Sequence, residues 1–547
     1  MSKQIRRADY YLHNNIITQE VYDLAYEVHQ VTQRTIDEIL IDYGFITDHE
    51  KVIAESVEKN IPYIDLDKKT PSDKALALIK KEEAFKRLIL PFKCDDKSVT
   101  VVVDSANGFK SQHFLERLTM KEIHYAFSEK NKIIETLKYL YEDKYLIQKK
   151  HIHSIVLNRQ TIDVTALLDA LIHAAIELDA SDIHIAPEED VVNIFIRLDG
   201  VLQHYSAVPA SIKEQLIARL KVVCQLDIAQ KRAAQDGSMT HLYNDKEYDL
   251  RISTMPTDQG ESAVIRILSN DKELFKVDQL GLSQKNLLKI EQLSRKPHGV
   301  ILLSGPTGSG KTTTLYALLR EMNRLQKNIL TIENPIEYRI PFVKQTQYNP
   351  KAGYTYDKAI RAFMRQDPDI ILVGEIRDPD TAQIAMEASI TGHLVLSTVH
   401  TNDAIGALVR LRGLKVPSFL ISEGILAIVA QRLVRKLCSY CKEKHRFSRK
   451  ALLKSNMEPS LLTEESYTFY NAKGCIKCNN TGYRGRIAVI EVFEVDPEIK
   501  SMIFEDVGTV KILNHAIENG MITLKEDMFH KILDGITSLE EYERTIL

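Results

Sequence analysis

The sequence predicts an α/β protein whose main domain is a mostly parallel sheet covered by helices on both faces. Three observations carry that prediction. Short apolar runs at 299–303, 328–332, 370–373 and 394–398 have strand length, and longer helical stretches separate them. The first run leads straight into Gly305-Pro306-Thr307-Gly308-Ser309-Gly310-Lys311-Thr312-Thr313, which fits G-x-x-x-x-G-K-[ST]. An amphipathic helix over 311–325 follows, with Leu315, Leu318, Leu319 and Met322 on its apolar face. A strand, a glycine-rich turn and a helix start make a phosphate-binding loop. Glycines let backbone N–H groups close around phosphates, and Lys311 adds a cation for the β- and γ-phosphates. The Thr312 hydroxyl can reach Mg²⁺, and the helix N-terminus favours an anion.

Length and composition set the frame. A chain of 547 residues is too long for one core, so roughly two to four domains are expected. It is 27% charged and 44% hydrophobic, ordinary for a globular protein. A net charge of -3 offers no global basic field for nucleic acid. The start, Met1-Ser2-Lys3-Gln4 and then Arg6-Arg7, lacks the apolar segment of a signal peptide. No apolar run reaches the length of about 18 residues that a membrane helix needs. The six cysteines do not form a disulfide framework in such a chain; four lie in C-x-x-C pairs, which favours a metal.

Taken in order, residues 1–60 read as helical and hold a weak internal repeat. Tyr11 to Thr18 aligns with Leu40 to Thr47: a helix end, a turn residue, an apolar pair and a Thr able to cap the next helix. Residues 61–66 look extended. Strands are expected at 88–92 and 99–103, with a helix over 130–141 closing an N-terminal domain, 1–145. The lysine-rich stretch 144–153 reads as a linker, placed at 146–160. A second lobe, 161–277, has a helix at 164–178 and strands at 181–185 and 191–197. Leu198-Asp199-Gly200-Val201 then makes a hairpin turn, before a helix at 212–225 and strands at 247–254 and 262–268. The phosphate-loop domain occupies 278–547.

Further residues gather around the loop. Ile370 to Glu375 is an apolar strand ending in a carboxylate, the form of a Walker B element that holds Mg²⁺ and polarises water. Glu333 and Glu337 stand at the end of the strand after the loop helix, where a general base or a metal-water ligand could sit. His393 and His400 flank the 394–398 strand and could sense a γ-phosphate; a structural histidine is the plainer reading of each. Cys438, Cys441, Cys475 and Cys478 form two knuckles suited to tetrahedral Zn²⁺, in an insertion at about 438–485. Cys94 and Cys224 read as packing residues.

In this order the motifs resemble those of the type II secretion and type IV pilus assembly ATPases. The carrying residues are the glycine loop, Glu333-Asn334-Pro335-Ile336-Glu337, Arg365-Gln366-Asp367-Pro368-Asp369, Gly374-Glu375-Ile376-Arg377-Asp378, Thr391-Gly392-His393 through Asn402, and Gln431-Arg432-Leu433-Val434-Arg435. The resemblance is strong from about Val164 onward. It implies a RecA-like core binding ATP and Mg²⁺ (through Thr312 and Glu375), a preceding α+β, PAS-like lobe, and a homo-hexameric ring. It implies Glu337 as the catalytic carboxylate, Glu375 as the Walker B acid, Glu333, His393 and His400 beside them, and Arg251 and Arg266 reaching the phosphates from the second lobe. Expected partners are an inner-membrane platform protein and the cytoplasmic domain of a membrane assembly protein. The expected location is the cytoplasm, peripheral to the inner membrane.

Two departures stand out. Asn334 replaces the usual Asp, which also leaves room for a scaffold that binds ATP without turnover. The N-terminal repeat resembles helical motifs that bind cyclic di-GMP in some members, but those begin Arg-Leu-Gly and have Gly at the turn. Here Arg7-Ala8-Asp9 and Asn15 stand in one copy, and Gly44 without that start in the other, so cyclic di-GMP is not expected. Alternatives remain a nucleic-acid-dependent motor, to which the basic run 432–436 (more plainly a solvated or subunit-facing helix) lends slight support, and a retraction ATPase, a branch that lacks the N-terminal domain and the cysteines. Direct nucleic-acid binding is not expected, for want of a broad basic face.

Overall fold

The computed structural model describes residues 2–104, 111–141, 144–157, 162–244, 246–269, 276–322 and 324–546. Its contacts divide the chain into two units, Met1–Lys272 and Glu273–Leu547.

The first unit opens with helices Ser2–His13, Gln19–Thr32, Ile36–Asp42 and Asp48–Lys59. The internal repeat is structural. Asn15 and Gly44 take the left-handed conformation at φ 53° and 65°, which ends each helix. The N–H groups of Ile16 and Ile17 then donate to Tyr11 O, and those of Phe45 and Ile46 to Leu40 O. Thr18 and Thr47 cap the helices that follow. A small α/β layer comes next: β1 (Ile89–Cys94), β2 (Ser98–Val103) and β3 (Glu122–Phe127), antiparallel then parallel, with helix Lys130–Tyr141 against them.

The stretch read as a linker is largely a helix, Lys144–Leu157; residues 158–161 lie outside the described set. Its lysines disguise a stripe at Ile152, Ile155 and Val156, spaced i, i+3, i+4. Ile152 is fully buried in the core of the second lobe, and the other two pack against it. That lobe is a six-stranded antiparallel sheet of β4 (Asp182–Pro187), β5 (Val191–Leu198), β6 (Val201–Pro209), β7 (Gln235–Tyr243), β8 (Lys246–Thr257) and β9 (Gly260–Ser269). The order is β6-β5-β4-β9-β8-β7. Along β5 every second residue is buried, under helices Val164–Glu177 and Lys213–Val223. The β5–β6 turn uses Asp199 and Gly200, both at positive φ, as expected. Strand β7 was not legible: its Asp236, Gly237 and Ser238 lack strand-forming bulk, and pairing with β8 supplies its order. Cys224 is buried in this core, and Cys94 packs at the edge of the first.

The second unit is built on β10 (Gly299–Ser304), β11 (Ile329–Glu333), β12 (Val343–Gln347), β13 (Ile370–Val373), β14 (Leu394–Val399), β15 (Ile425–Leu437), β16 (Glu443–Ser448), β17 (Ser466–Asn471) and β18 (Tyr483–Glu494). Seven of these form one sheet, β12-β11-β13-β14-β10-β15-β18, parallel except for β18. Alternation divides its core in two. Val300 and Leu302 face one apolar layer, with helices Pro379–Ile390 and Ala404–Gly413. Ile301 and Leu303 face the other, with helix Lys311–Glu321. The basic run 432–436 is part of β15, not a helix. It belongs to the sheet because β18 pairs along it, from Arg432 opposite Val489 to Arg435 opposite Arg486, beyond the part of β15 that β10 pairs. Strands β16 and β17 form a separate hairpin between the cysteine pairs.

Candidate active site and cysteine centre

The phosphate loop leaves the carboxyl end of β10, inside a parallel sheet, where open α/β sheets place their ligands. Its two outer glycines are demanded by a neighbour. A Cβ on Gly305 (φ 151°) would lie 2.5 Å from Gln431 O, and one on Gly310 (φ 87°) 2.8 Å from Gln431 Nε2. Gln431 Nε2 donates to Ser309 O at 2.9 Å, and Thr314 Oγ1 donates to Gln431 Oε1 at 2.8 Å. Gln431 thus ties the loop and the start of its helix to β15. The sequence showed this residue inside a motif but gave it no role, since nothing local reveals that β15 runs beside the loop.

Lys311 is buried, and its Nζ donates to Gly305 O at 2.7 Å and Pro306 O at 3.0 Å. Burial lowers its pKa to about 8, with Glu375 opposing the shift and Arg432 adding to it. Thr307 and Gly308 are exposed at the loop crest, and Thr312 and Thr313 on the first helical turn. Arg432 reaches across to Asn402 O at 2.5 Å.

Glu375 follows β13. Its Oε2 pairs with Arg377 Nε at 2.6 Å and lies 3.6 Å from His400 Nε2. The strand end is held by Gly374, whose N–H donates to Ile332 O and whose carbonyl accepts from Thr398 Oγ1. His400 has a lowered pKa, from burial first and then from the Lys311 charge, so its ring stays neutral and can accept or donate. A cation at Lys311, a carboxylate at Glu375 and a neutral imidazole at His400 therefore belong to the ends of three neighbouring strands. Such a set can hold phosphate and metal and orient water.

His393 is not part of that set. It precedes β14, at the opposite end of the parallel strand, so about 20 Å of strand separates it from His400. Its Nδ1 lies 2.8 Å from Ala388 O, and Gly299, the first residue of β10, donates to its carbonyl. The two histidines flank one strand, and a strand's two ends face opposite edges of the sheet.

Glu333 also departs from a metal-facing role. It is buried at the end of β11, where Oε1 accepts from Thr331 Oγ1 at 2.6 Å and Gln345 Nε2 at 3.2 Å, and Oε2 accepts from Tyr316 OH. The Tyr316 hydroxyl accepts in turn from the Glu337 N–H at 3.3 Å. Burial and the adjacent Glu333 raise the Tyr316 pKa, keeping its proton in place. Glu333 therefore acts on Glu337 through Tyr316. Asn334 between them is exposed, and its bond to Pro335 is cis.

Arg251 and Arg266 lie in the first unit. They are direct cross-strand neighbours on β8 and β9. Arg266 Nε binds Asp182 Oδ1 at 2.9 Å, and Arg197 approaches the other oxygen at 3.5 Å, so these two arginines share one acid, with Arg251 next in the row beside Arg266.

The four expected cysteines converge, with all their sulfurs within 4.8 Å of one another. Three pairs, Cys438–Cys475, Cys441–Cys478 and Cys475–Cys478, are 3.9, 3.8 and 3.8 Å apart. A tetrahedron with Zn–S bonds of about 2.3 Å has edges of about 3.8 Å, so the donor set and its size both fit zinc. Bonding from Cys438, and from the N–H groups of Cys475 (3.2 Å) and Gly482 (3.1 Å), brings the Cys478 pKa down to about 4. It is the thiolate form that ligates.

Comparison with known proteins agrees with this architecture. Residues 158–544 match the family described as type II/IV secretion system protein, and residues 60–144 match the MshEN domain. The chain is 44% identical to the type II secretion system ATPase E of Vibrio cholerae over 384 residues, 70% of this chain and 75% of that one. It is 35% identical to the type IV pilus assembly ATPase PilB of Thermus thermophilus over 520 residues, 92% of this chain and 58% of that longer relative. The ATPase DotB of Legionella pneumophila superposes with a TM-score of 0.51 at 20% identity, covering 69% of this chain and 95% of that one, which shows a shared RecA-like fold.

Proposed function

The chain belongs to the type II/IV secretion system protein family, and from that premise we propose that it is an ATP-hydrolysing motor that powers assembly of a type IV pilus or a secretion pseudopilus. The observation that carries the reading is the grouping of Lys311, Glu375 and His400 at the carboxyl ends of β10, β13 and β14. In the proposed site the loop N–H groups and Lys311 hold the triphosphate, and Thr312 and Glu375 provide oxygen ligands for Mg²⁺. Bound Mg²⁺ neutralises charge on the β- and γ-phosphates. Glu337, whose backbone is fixed through Tyr316, is placed as the general base for water, and His400 as a reader of the γ-phosphate side of Glu375.

We place Arg251 and Arg266 as phosphate contacts donated by the second lobe, within a homo-hexamer that swings its lobes as ATP is spent. The division of the proposal is 1–145 for docking, 146–160 for connection, 161–277 for the arginine lobe and 278–547 for the ATPase domain. The docking partners are the cytoplasmic domain of a membrane assembly protein and an inner-membrane platform protein, which would hold the motor at the inner membrane. Among the described residues no helix is long and apolar enough to cross a membrane. Cyclic di-GMP is left out, because the guanidinium of Arg7 is already engaged by Asp37 at 2.6 Å, Glu55 at 2.9 Å and Glu58 at 2.7 Å.

Lys311→Ala is expected to abolish ATP binding in a nucleotide titration, and unchanged affinity would overturn the loop's role. Zinc is assigned to the four cysteines, and metal analysis should return about one zinc per chain. A folded, metal-free chain with four titratable thiols would remove that assignment.

A further inference from the structure

A second cluster of ligating side chains lies away from both sites, in the second lobe. His173 sits on helix Val164–Glu177 and His241 on β7, an edge strand of the six-stranded sheet. Their Nε2 atoms face each other at 3.0 Å, with ring centroids 5.1 Å apart and planes at 51°. Tyr243 stacks on His173 at 4.3 Å, and its hydroxyl donates to Glu177 Oε1 at 3.1 Å, so the first ring is braced. Asp169, one helical turn before His173, acts electrostatically on both rings, and His151 on the neighbouring helix acts on His173. Burial lowers the pKa of both imidazoles, which leaves each with a lone pair at neutral pH.

Two neutral imidazole nitrogens this close either share a proton or ligate one cation. Ligands at about 2.1 Å from one ion stand about 3.0–3.4 Å apart in adjacent positions, so the two rings are spaced to reach one cation, and imidazole suits Ni²⁺, Cu²⁺ and Zn²⁺. Among the described residues only the cysteines bring three or more ligand atoms within 4.8 Å, so water completes any coordination here, with Asp169 offsetting the charge. We propose that His173 and His241 form a binding site for a divalent cation of the kind that imidazole favours (Ni²⁺, Cu²⁺ or Zn²⁺), which staples edge strand β7 to the helix over it.

The test uses the full chain with its four cysteines intact. Nickel chloride is titrated calorimetrically into wild type, His173→Ala and His241→Ala. The expected result is one Ni²⁺ equivalent in wild type whose affinity falls at least tenfold in either variant. A second readout needs no variant: Cu²⁺ added to wild type should show paramagnetic-resonance coupling to two imidazole nitrogens, a signature distinct from thiolate ligation. Equal Ni²⁺ binding in all three proteins, no Ni²⁺ binding in wild type, or a Cu²⁺ spectrum without imidazole coupling would each overturn the site and leave the rings as a hydrogen-bonded pair.

Discussion

Two neighbouring strands of the ATPase sheet, β11 and β13, lead into the same residue type and give it opposite surroundings. Glu333 is enclosed by Tyr316, Thr331 and Gln345, all donating to its carboxylate. Glu375 keeps one oxygen against Arg377 and His400 and stays within the field of Lys311. A carboxylate whose oxygens are occupied by internal donors fixes geometry. One paired with an exposed guanidinium, as Glu375 is with Arg377, can exchange it for a metal. The hydrogen-bond partners of a strand-end glutamate, rather than its position, decide between structural and chemical roles.

That contrast can be tested by substitution. Glu375→Gln should retain ATP binding and lower turnover by about 10²–10⁴-fold, with stability nearly unchanged. A variant turning over normally would remove Glu375 from the chemistry. Glu333→Gln should do the reverse in kind. Its amide would set a donor against a donor, costing about 1–3 kcal/mol of stability, read by denaturant unfolding, with a smaller loss of turnover through Glu337. If Glu333→Gln matched Glu375→Gln in lost turnover and kept full stability, the contrast would fail.

A smaller effect concerns pH. Burial holds the Lys311 pKa at about 8, below the usual lysine range. Bound triphosphate favours the ammonium form, so binding takes up a proton once pH passes that value. Affinity should then fall with rising pH above about 8, by at most about tenfold per unit, and stay flat below it on account of this group. Calorimetric titration in buffers of different ionisation enthalpy reads the proton uptake directly.

Much of the site was legible because its chemistry is contiguous. The glycine loop, the apolar strand before Glu375 and the two C-x-x-C pairs each carry their meaning within a few residues. So does the N-terminal repeat, where Asn15, Gly44, Thr18 and Thr47 take the turn and cap positions that their side chains favour. The helix across the stretch read as a linker was not legible, because lysines outnumber the apolar stripe of Ile152, Ile155 and Val156.

The sequence by itself determined the strand–loop–helix unit, the acid after β13 and the sulfur donor set, since local spacing and residue type suffice for each. Only the tertiary structure decided that Gln431 holds the loop, that 432–436 is a strand, that Glu333 is enclosed, and that His393 lies at the far edge from His400. Each depends on which strands are neighbours and how they are registered. That order is set by contacts between residues distant in the chain, and no local pattern encodes it.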